Sequence, residues 1–240
     1  MLLLVASVYS GYRAVKEYQP VKESKELNEQ VQKEVIRDSN TGDELDRKID
    51  FHALKSINKD IVGWIYIPNT NVDYPILIGE DNETYLNKDF IGNKNPLGSI
   101  FSYADTDRSL SNSRIMIFGH NMVNQQMFGG LKKFLNNEYL KEHDKIYLYT
   151  EERSYELAIF SVFTYDASEK INGYQYGIGT LEYKEMLNTL IGKNQVSDVY
   201  KVDTDYYNQK TVSLVTCHGR SGTSKRLMVN GMVIRTSKGK

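Results

Sequence analysis

From about residue 61 onward the chain runs in short apolar or alternating segments separated by turn residues, the pattern of a β-rich domain. Gly63-Trp-Ile-Tyr-Ile-Pro68 predicts a strand, Asn69-Thr-Asn71 a turn, and Val72-Asp-Tyr-Pro-Ile-Leu-Ile78 the next strand, with Pro75 placing that stretch at an edge or a bulge. Further strands are expected at Gly98–Tyr103, Arg114–His120, Lys145–Tyr149, Tyr155–Phe163, Thr211–Cys217 and Arg226–Ile234. Arg114–His120 is apolar enough to be buried on both faces. Eight short strands with inserted helices suggest a barrel or a sandwich.

Helical spacing is confined to a few stretches. Val21, Leu27, Val31 and Val35 form a thin apolar stripe on an otherwise charged segment, which predicts a solvated stalk or surface helix. Ser39-Asn-Thr-Gly42 breaks it. Leu45, Ile49, Phe51, Leu54 and Ile57 predict a second amphipathic helix over 44–59. Asp81-Asn-Glu-Thr-Tyr-Leu86 reads as a short turn of helix with a capping residue. Met127, Phe128, Leu131, Phe134 and Leu135 have helical spacing, as do Leu181, Met186, Leu187, Leu190 and Ile191. A long polar connection, which the last of these helices interrupts, joins the sixth and seventh strands, and connections of that length tend to line a functional site.

The N-terminal run Met1–Tyr9 is apolar but about half the ~20 residues a membrane span requires, and it lacks the basic start of a signal peptide. We read it as the trailing half of a membrane anchor, which gives an organisation of anchor remnant 1–16, helical stalk 17–43 and a β-rich domain 44–240. A net charge of -1 gives no global basic field, so nucleic acid is not an expected partner. A single cysteine excludes an intrachain disulfide and a zinc site built mainly from thiolates.

That cysteine ends the strand Thr211-Val-Ser-Leu-Val-Thr-Cys217. Alone it reads as an inert buried thiol ahead of a nucleophile, since free cysteine is among the most buried residue types. Two other strand ends change the weighing: Phe118-Gly-His120-Asn121 and Arg226. A thiol, an imidazole and a guanidinium are what acyl transfer needs: a nucleophile, a proton donor for the leaving amine, and fixed positive charge for the oxyanion. A metal site from His120, His143, Cys217 and His218 lacks any familiar ligand spacing.

Gly119-His120-Asn121, the strand Ser213-Leu-Val-Thr-Cys217 and the arginine nine residues later resemble the sortases, cysteine transpeptidases of Gram-positive cell surfaces whose signature is Thr-Leu-x-Thr-Cys. Serine at the first position is a departure. Lys55–Ile65, Val72-Asp-Tyr-Pro-Ile76 and Asp81–Leu86 are similar to the class B branch, and the likeness covers about 44–235. The resemblance implies an α+β fold: an eight-stranded β-barrel with N-terminal helices and a helix between strands six and seven. It implies that Cys217 attacks the carbonyl of a threonine in a sorting signal on a secreted surface protein, that His120 protonates the leaving amine, and that Arg226 holds the substrate and meets the oxyanion. The acceptor would be an amine of the peptidoglycan precursor. Asn82, Leu86 and Thr216 match positions that line the signal's groove. No cofactor or metal is implied, since the calcium site of class A is not expected in class B. The implied location is a single-pass membrane protein, held by its N-terminal anchor with the catalytic domain outside. A peptidase that only hydrolyses and a non-enzymatic binding barrel remain as alternatives.

Overall fold

The computed structural model describes residues 2–37, 41–169, 171, 175–203, 205–217 and 222–238, with side chains described from residue 19 onward, those of 217 and 238 excepted. Helix α1 (Leu2–Val35) leads through the two-residue strands β1 (Ile36–Arg37) and β2 (Lys48–Ile49) into helix α2 (Phe51–Ile57). The barrel strands follow: β3 (Ile61–Tyr66), β4 (Asp73–Leu77), β5 (Ile100–Ser102), β6 (Arg114–Phe118), β7 (Lys145–Tyr149), β8 (Arg153–Asp166), β9 (Thr211–Cys217) and β10 (Lys225–Lys238). Helix α3 (Asn137–Glu142) precedes β7, and α4 (Leu181–Gly192) lies between β8 and β9, the sixth and seventh barrel strands.

The eight strands close in the order β10-β8-β7-β3-β4-β5-β6-β9, so no edge is left unpaired. Two neighbouring pairs, β4 with β5 and β6 with β9, run parallel, and the others are antiparallel. β6 is apolar because it is covered on both faces, Ile115 and Ile117 by the barrel interior and Met116 by the α4 flank. Pro75 sits opposite Trp64 in β4, where β5 pairs only with Ile76 and Leu77. Its missing N–H therefore costs no ladder bond, as expected for an edge-like position.

Three apolar clusters follow from the alternation. Inward residues such as Ile65, Ile117, Leu148, Leu157, Leu214 and Val229 fill the barrel. Trp64, Leu77, Tyr149 and Phe101 face outward and are covered by Val31 and Val35 of α1 and Leu54 of α2. On the opposite flank Tyr183, Met186, Leu187 and Leu190 of α4 cover Phe163, Val215 and Met228.

The apolar stripe on α1 is thus docked on the barrel, with Val31 and Val35 buried. Asn28 Nδ2 and Gln32 Nε2 donate to the Asp73 carbonyl at 3.2 and 2.8 Å. The Asp73 carboxylate accepts both Arg47 Nη1 at 3.0 Å and Nη2 at 2.9 Å, and Trp64 Nε1 at 2.6 Å. The helix expected over 44–59 is divided. Glu44–Asp46 is a 3₁₀ turn, β2 pairs with β1, and α2 starts only after Asp50 caps it by accepting from Ala53 N at 2.8 Å. Similarly, Leu131–Leu135 is 3₁₀ rather than α, while α4 matches its expected span.

The expected single-pass membrane location is corrected. Among the described residues no helix is long and apolar enough to cross a membrane. The apolar start of α1 meets Arg13, Lys16 and Glu17 well before the ~20 residues that the hydrocarbon core requires.

Candidate active site

β6 and β9 lie side by side and in parallel, so their C-terminal ends emerge together. That places Gly119-His120, just past β6, beside Thr216-Cys217 at the end of β9, although 97 residues separate His120 from Cys217. β10 returns antiparallel on the other flank of β9 with Arg226 directly opposite Cys217. The same row continues into β8, where Arg226 opposes Tyr165. Cys217 is placed here by its backbone register, and His218 falls outside the described residues.

His120 Nε2 lies 2.8 Å from the Leu86 carbonyl oxygen. A carbonyl only accepts, so Nε2 carries a proton and Nδ1 is the ring nitrogen left for proton transfer. Two glycines make this contact possible. Gly98 has φ +59, and a Cβ there would lie 2.6 Å from the Leu86 oxygen and 3.0 Å from His120 Cδ2. A Cβ on Gly119 would lie 2.5 Å from Ile100 Cδ1 and 2.9 Å from the Phe128 ring. The loop after His120 is closed by Phe128 N donating to the His120 carbonyl at 3.0 Å.

Arg226 is half-buried. Its Nη1 donates to the carbonyls of Thr223 at 2.8 Å and Lys225 at 3.1 Å. Nη2 and Nε meet no acceptor among the described residues, which leaves charged donors beside the Cys217 position. Asp166 anchors the approach to Arg226. It accepts from Ser224 Oγ and from Ser168 N and Oγ, and these bonds, the Ser224 one foremost, pull its carboxyl down to about 2.

His120, Arg226, Asn82, Leu86 and Thr216 all line one groove of about 410 Å³, so the residues expected from the sequence converge. Within it their parts differ. Asn82 Oδ1 accepts from Ala104 N at 2.8 Å and fixes a groove wall. Leu86 contributes its side chain to the groove and its carbonyl to His120. Thr216 is 4% exposed, and its Oγ1 is buried with no hydrogen-bond partner among the described residues. His143 lies elsewhere, stacked on Tyr139 at 4.0 Å as the C-terminal cap of α3. Among the described residues no group of three or more His, Cys, Asp or Glu could hold a metal ion.

Beneath the groove lies a polar network that the sequence reading missed. Arg114 is fully buried, and its Nε and Nη2 donate to Ser213 Oγ at 3.2 and 3.1 Å. Ser213 Oγ donates to Asn230 Oδ1 at 2.7 Å, and Asn230 Nδ2 reaches the Ser161 carbonyl at 3.3 Å. Burial lowers the Arg114 guanidinium to about 10. The serine that departs from the signature is therefore the hub of this network. Tyr165, Tyr103 and Phe118 also line the groove without having been singled out beforehand.

A sequence model of the family described as the Sortase domain matches residues 65–234. The chain belongs to the sortase family. Its relatives lie in class B: the curated Sortase B of Staphylococcus aureus is 28% identical over 239 residues, covering 99% of this chain and 96% of that one. Among solved structures, sortase B from B. anthracis in complex with AAEK2 superposes with a TM-score of 0.74 at 28% identity, covering 89% of this chain and 97% of that one. Clostridium perfringens Sortase B gives 0.71 at 29% identity, covering 78% of this chain and 100% of that one. The closed eight-stranded barrel of this sortase is the fold of those structures, and the chain is an enzyme of the class B sortase type.

Proposed function

We propose that this sortase cleaves a C-terminal sorting signal of secreted surface proteins after a threonine and transfers the acyl fragment to an amine of the cell-wall peptidoglycan precursor. The observation that carries the reading is the convergence on one groove of His120, fixed by the Leu86 carbonyl, and Arg226, with Cys217 in register opposite it. A solved Staphylococcus aureus sortase B–substrate complex, 25% identical with a TM-score of 0.69, supports a substrate-processing role for the fold.

In this mechanism the Cys217 thiolate forms a C–S bond to the threonine carbonyl carbon, and the carbonyl electron pair moves onto oxygen. The free Nη2 and Nε donors of Arg226 meet that oxyanion. Collapse of the intermediate breaks the C–N bond, and the His120 Nδ1 proton goes to the leaving amine. His120, now neutral, takes a proton from the incoming amine, which displaces the thiolate and leaves a new amide. Residues 44–240 form the catalytic unit, and the docked half of α1 (17–35) is its brace rather than a free stalk.

The test is turnover of a panel of fluorogenic sorting pentapeptides with and without an added amine. Wild-type enzyme is expected to divert product from acid to amide as the amine is added. Cys217→Ala is expected to lose all turnover with an unchanged melting temperature, and His120→Ala and Arg226→Ala to lose about 10² to 10³ in rate or more. Turnover retained by Cys217→Ala overturns the assignment. Acid as the sole product at every amine concentration favours a peptidase instead.

A further inference from the structure

His120 and Arg226 flank β9 on opposite sides: His120 follows β6, Arg226 lies on β10, and β9 is paired with both. If His120 protonates the leaving amine, the leaving group lies on the β6 side of Cys217. The acyl fragment then lies on the β10 side and crosses toward β8. In the register row that starts at Cys217 and passes Arg226, the residue reached on β8 is Tyr165.

Tyr165 is half-buried in the groove wall, with its ring edge-on to Phe163 at 5.9 Å. Its hydroxyl makes no hydrogen bond with any described residue, although burial pushes the phenol up to about 12 and so keeps it a neutral donor. Strand spacing puts its Cα about 10 Å from that of Cys217. An extended peptide advances about 3.3 Å per residue, so that distance corresponds to two or three residues upstream of the scissile carbonyl.

We propose that Tyr165 is an acyl-side substrate-binding residue whose hydroxyl donates to a peptide carbonyl two or three residues before the cleaved bond. The inference rests on the sortase reading above, and it adds a neutral donor beside the cationic one. Because the contact is made to the acyl fragment, it is present in the Michaelis complex and in the thioacyl enzyme alike. It therefore acts on peptide capture and leaves the choice between water and amine untouched.

Tyr165→Phe removes the oxygen alone and keeps the ring contact with Phe163. We expect kcat/KM for the sorting peptide to fall about tenfold, mostly through KM, as for loss of one hydrogen bond in a partly buried site. The melting temperature, the KM for the amine and the amide-to-acid ratio should not move. The same fall should appear in wild-type enzyme when the peptide carbonyls two and three residues upstream are replaced in turn by thiocarbonyls, weaker acceptors. One of those peptides should show no further loss in Tyr165→Phe. Unchanged kcat/KM in Tyr165→Phe, or a change in the amide-to-acid ratio, overturns the assignment. Failure of the wild-type enzyme to process any peptide would instead count against the function itself, so the two failures are distinguishable.

Discussion

Replacing Thr216 by valine separates stability from activity by sign. Thr216 is 4% exposed and its Oγ1 has no partner among the described residues. A buried hydroxyl without a partner costs about 1–3 kcal/mol of desolvation. Thr216→Val exchanges it for a methyl of nearly the same shape, whose burial adds up to about 0.8 kcal/mol. The fold should therefore gain about 1 kcal/mol, and for a domain of this size the melting temperature should rise by about 2–4 °C. Thr216 borders the groove next to Cys217, and its proposed substrate-binding role supposes that a bound peptide supplies the partner its buried hydroxyl lacks. Its removal should lower kcat/KM about tenfold. Thr216→Ser is the complement: it keeps the hydroxyl and deletes a buried methyl, so it should lose about 1 kcal/mol of stability and keep its activity. Calorimetry and peptide kinetics on the two variants decide the matter. A lower melting temperature in Thr216→Val, or full activity in that variant, refutes the reasoning, because the hydroxyl would then have a structural partner or no substrate role.

Two further outcomes follow from neighbouring geometry. Gly98→Ala places a Cβ 2.6 Å from the Leu86 oxygen at a φ of +59, so it should cost more than about 1 kcal/mol and move His120 off its anchor; kcat should fall by more than tenfold, and a normal kcat would sink the anchoring role. Lys210 donates to the Leu110 carbonyl, and burial lowers its amine from 10.5 to about 8. Below pH 8 both the folded and the unfolded chain carry its proton; between 8 and 10.5 only the unfolded chain does, so this group makes stability rise with pH across that window. The melting temperature of the wild-type chain minus that of Lys210→Met should accordingly increase from pH 7.5 to 9.5, and a flat or falling difference contradicts the burial argument.

The strands were legible in the sequence because alternation and turn residues are local signals. All eight barrel strands stand where Gly63, Val72, Arg114, Tyr155 and the others suggested, and β8 and β10 only run longer. The N-terminal segment was less legible. A stripe such as Val31 and Val35 tells which face of a helix is apolar, and it is silent on what covers that face. The partners, Trp64 and Tyr149, belong to strands whose outward positions could not be assigned before the barrel closed. The 44–59 stretch misled because Leu45, Phe51 and Leu54 also fit a turn followed by a short capped helix, and the choice was made by β1–β2 pairing and by Asp50.

At the site, side-chain chemistry was readable and backbone chemistry was not. His120, Cys217 and Arg226 announce themselves by type, whereas the group that orients His120 is a main-chain carbonyl, which any residue at position 86 would supply. Gly98 carried the only trace of that contact, and one glycine in a turn-rich stretch is a weak signal.

The sheet also offers an internal comparison between polar residues that build and polar residues that act. On β9, β10 and β8 the row Ser213–Asn230–Ser161 and the row Cys217–Arg226–Tyr165 occupy the same face, four residues apart along β9. In the first row every polar group is used. Ser213 takes Arg114 and gives to Asn230, Asn230 gives to the Ser161 carbonyl, and Ser161 Oγ gives to the Leu190 carbonyl at 2.5 Å, with all three residues wholly buried. In the second row, among the described residues, Arg226 keeps donors in reserve and Tyr165 makes no hydrogen bond, while both border the groove. A chain that saturates one row completely has the means to saturate the other, since the same strands and the same kinds of side chain are involved. Under the proposed function, unspent donors beside the cysteine are available to a ligand rich in acceptors. A peptide backbone fits that description: it brings one carbonyl for the oxyanion position and others at regular spacing along the groove. On this reasoning, variants of the saturated row should lose stability first, and variants of the open row should lose peptide turnover first.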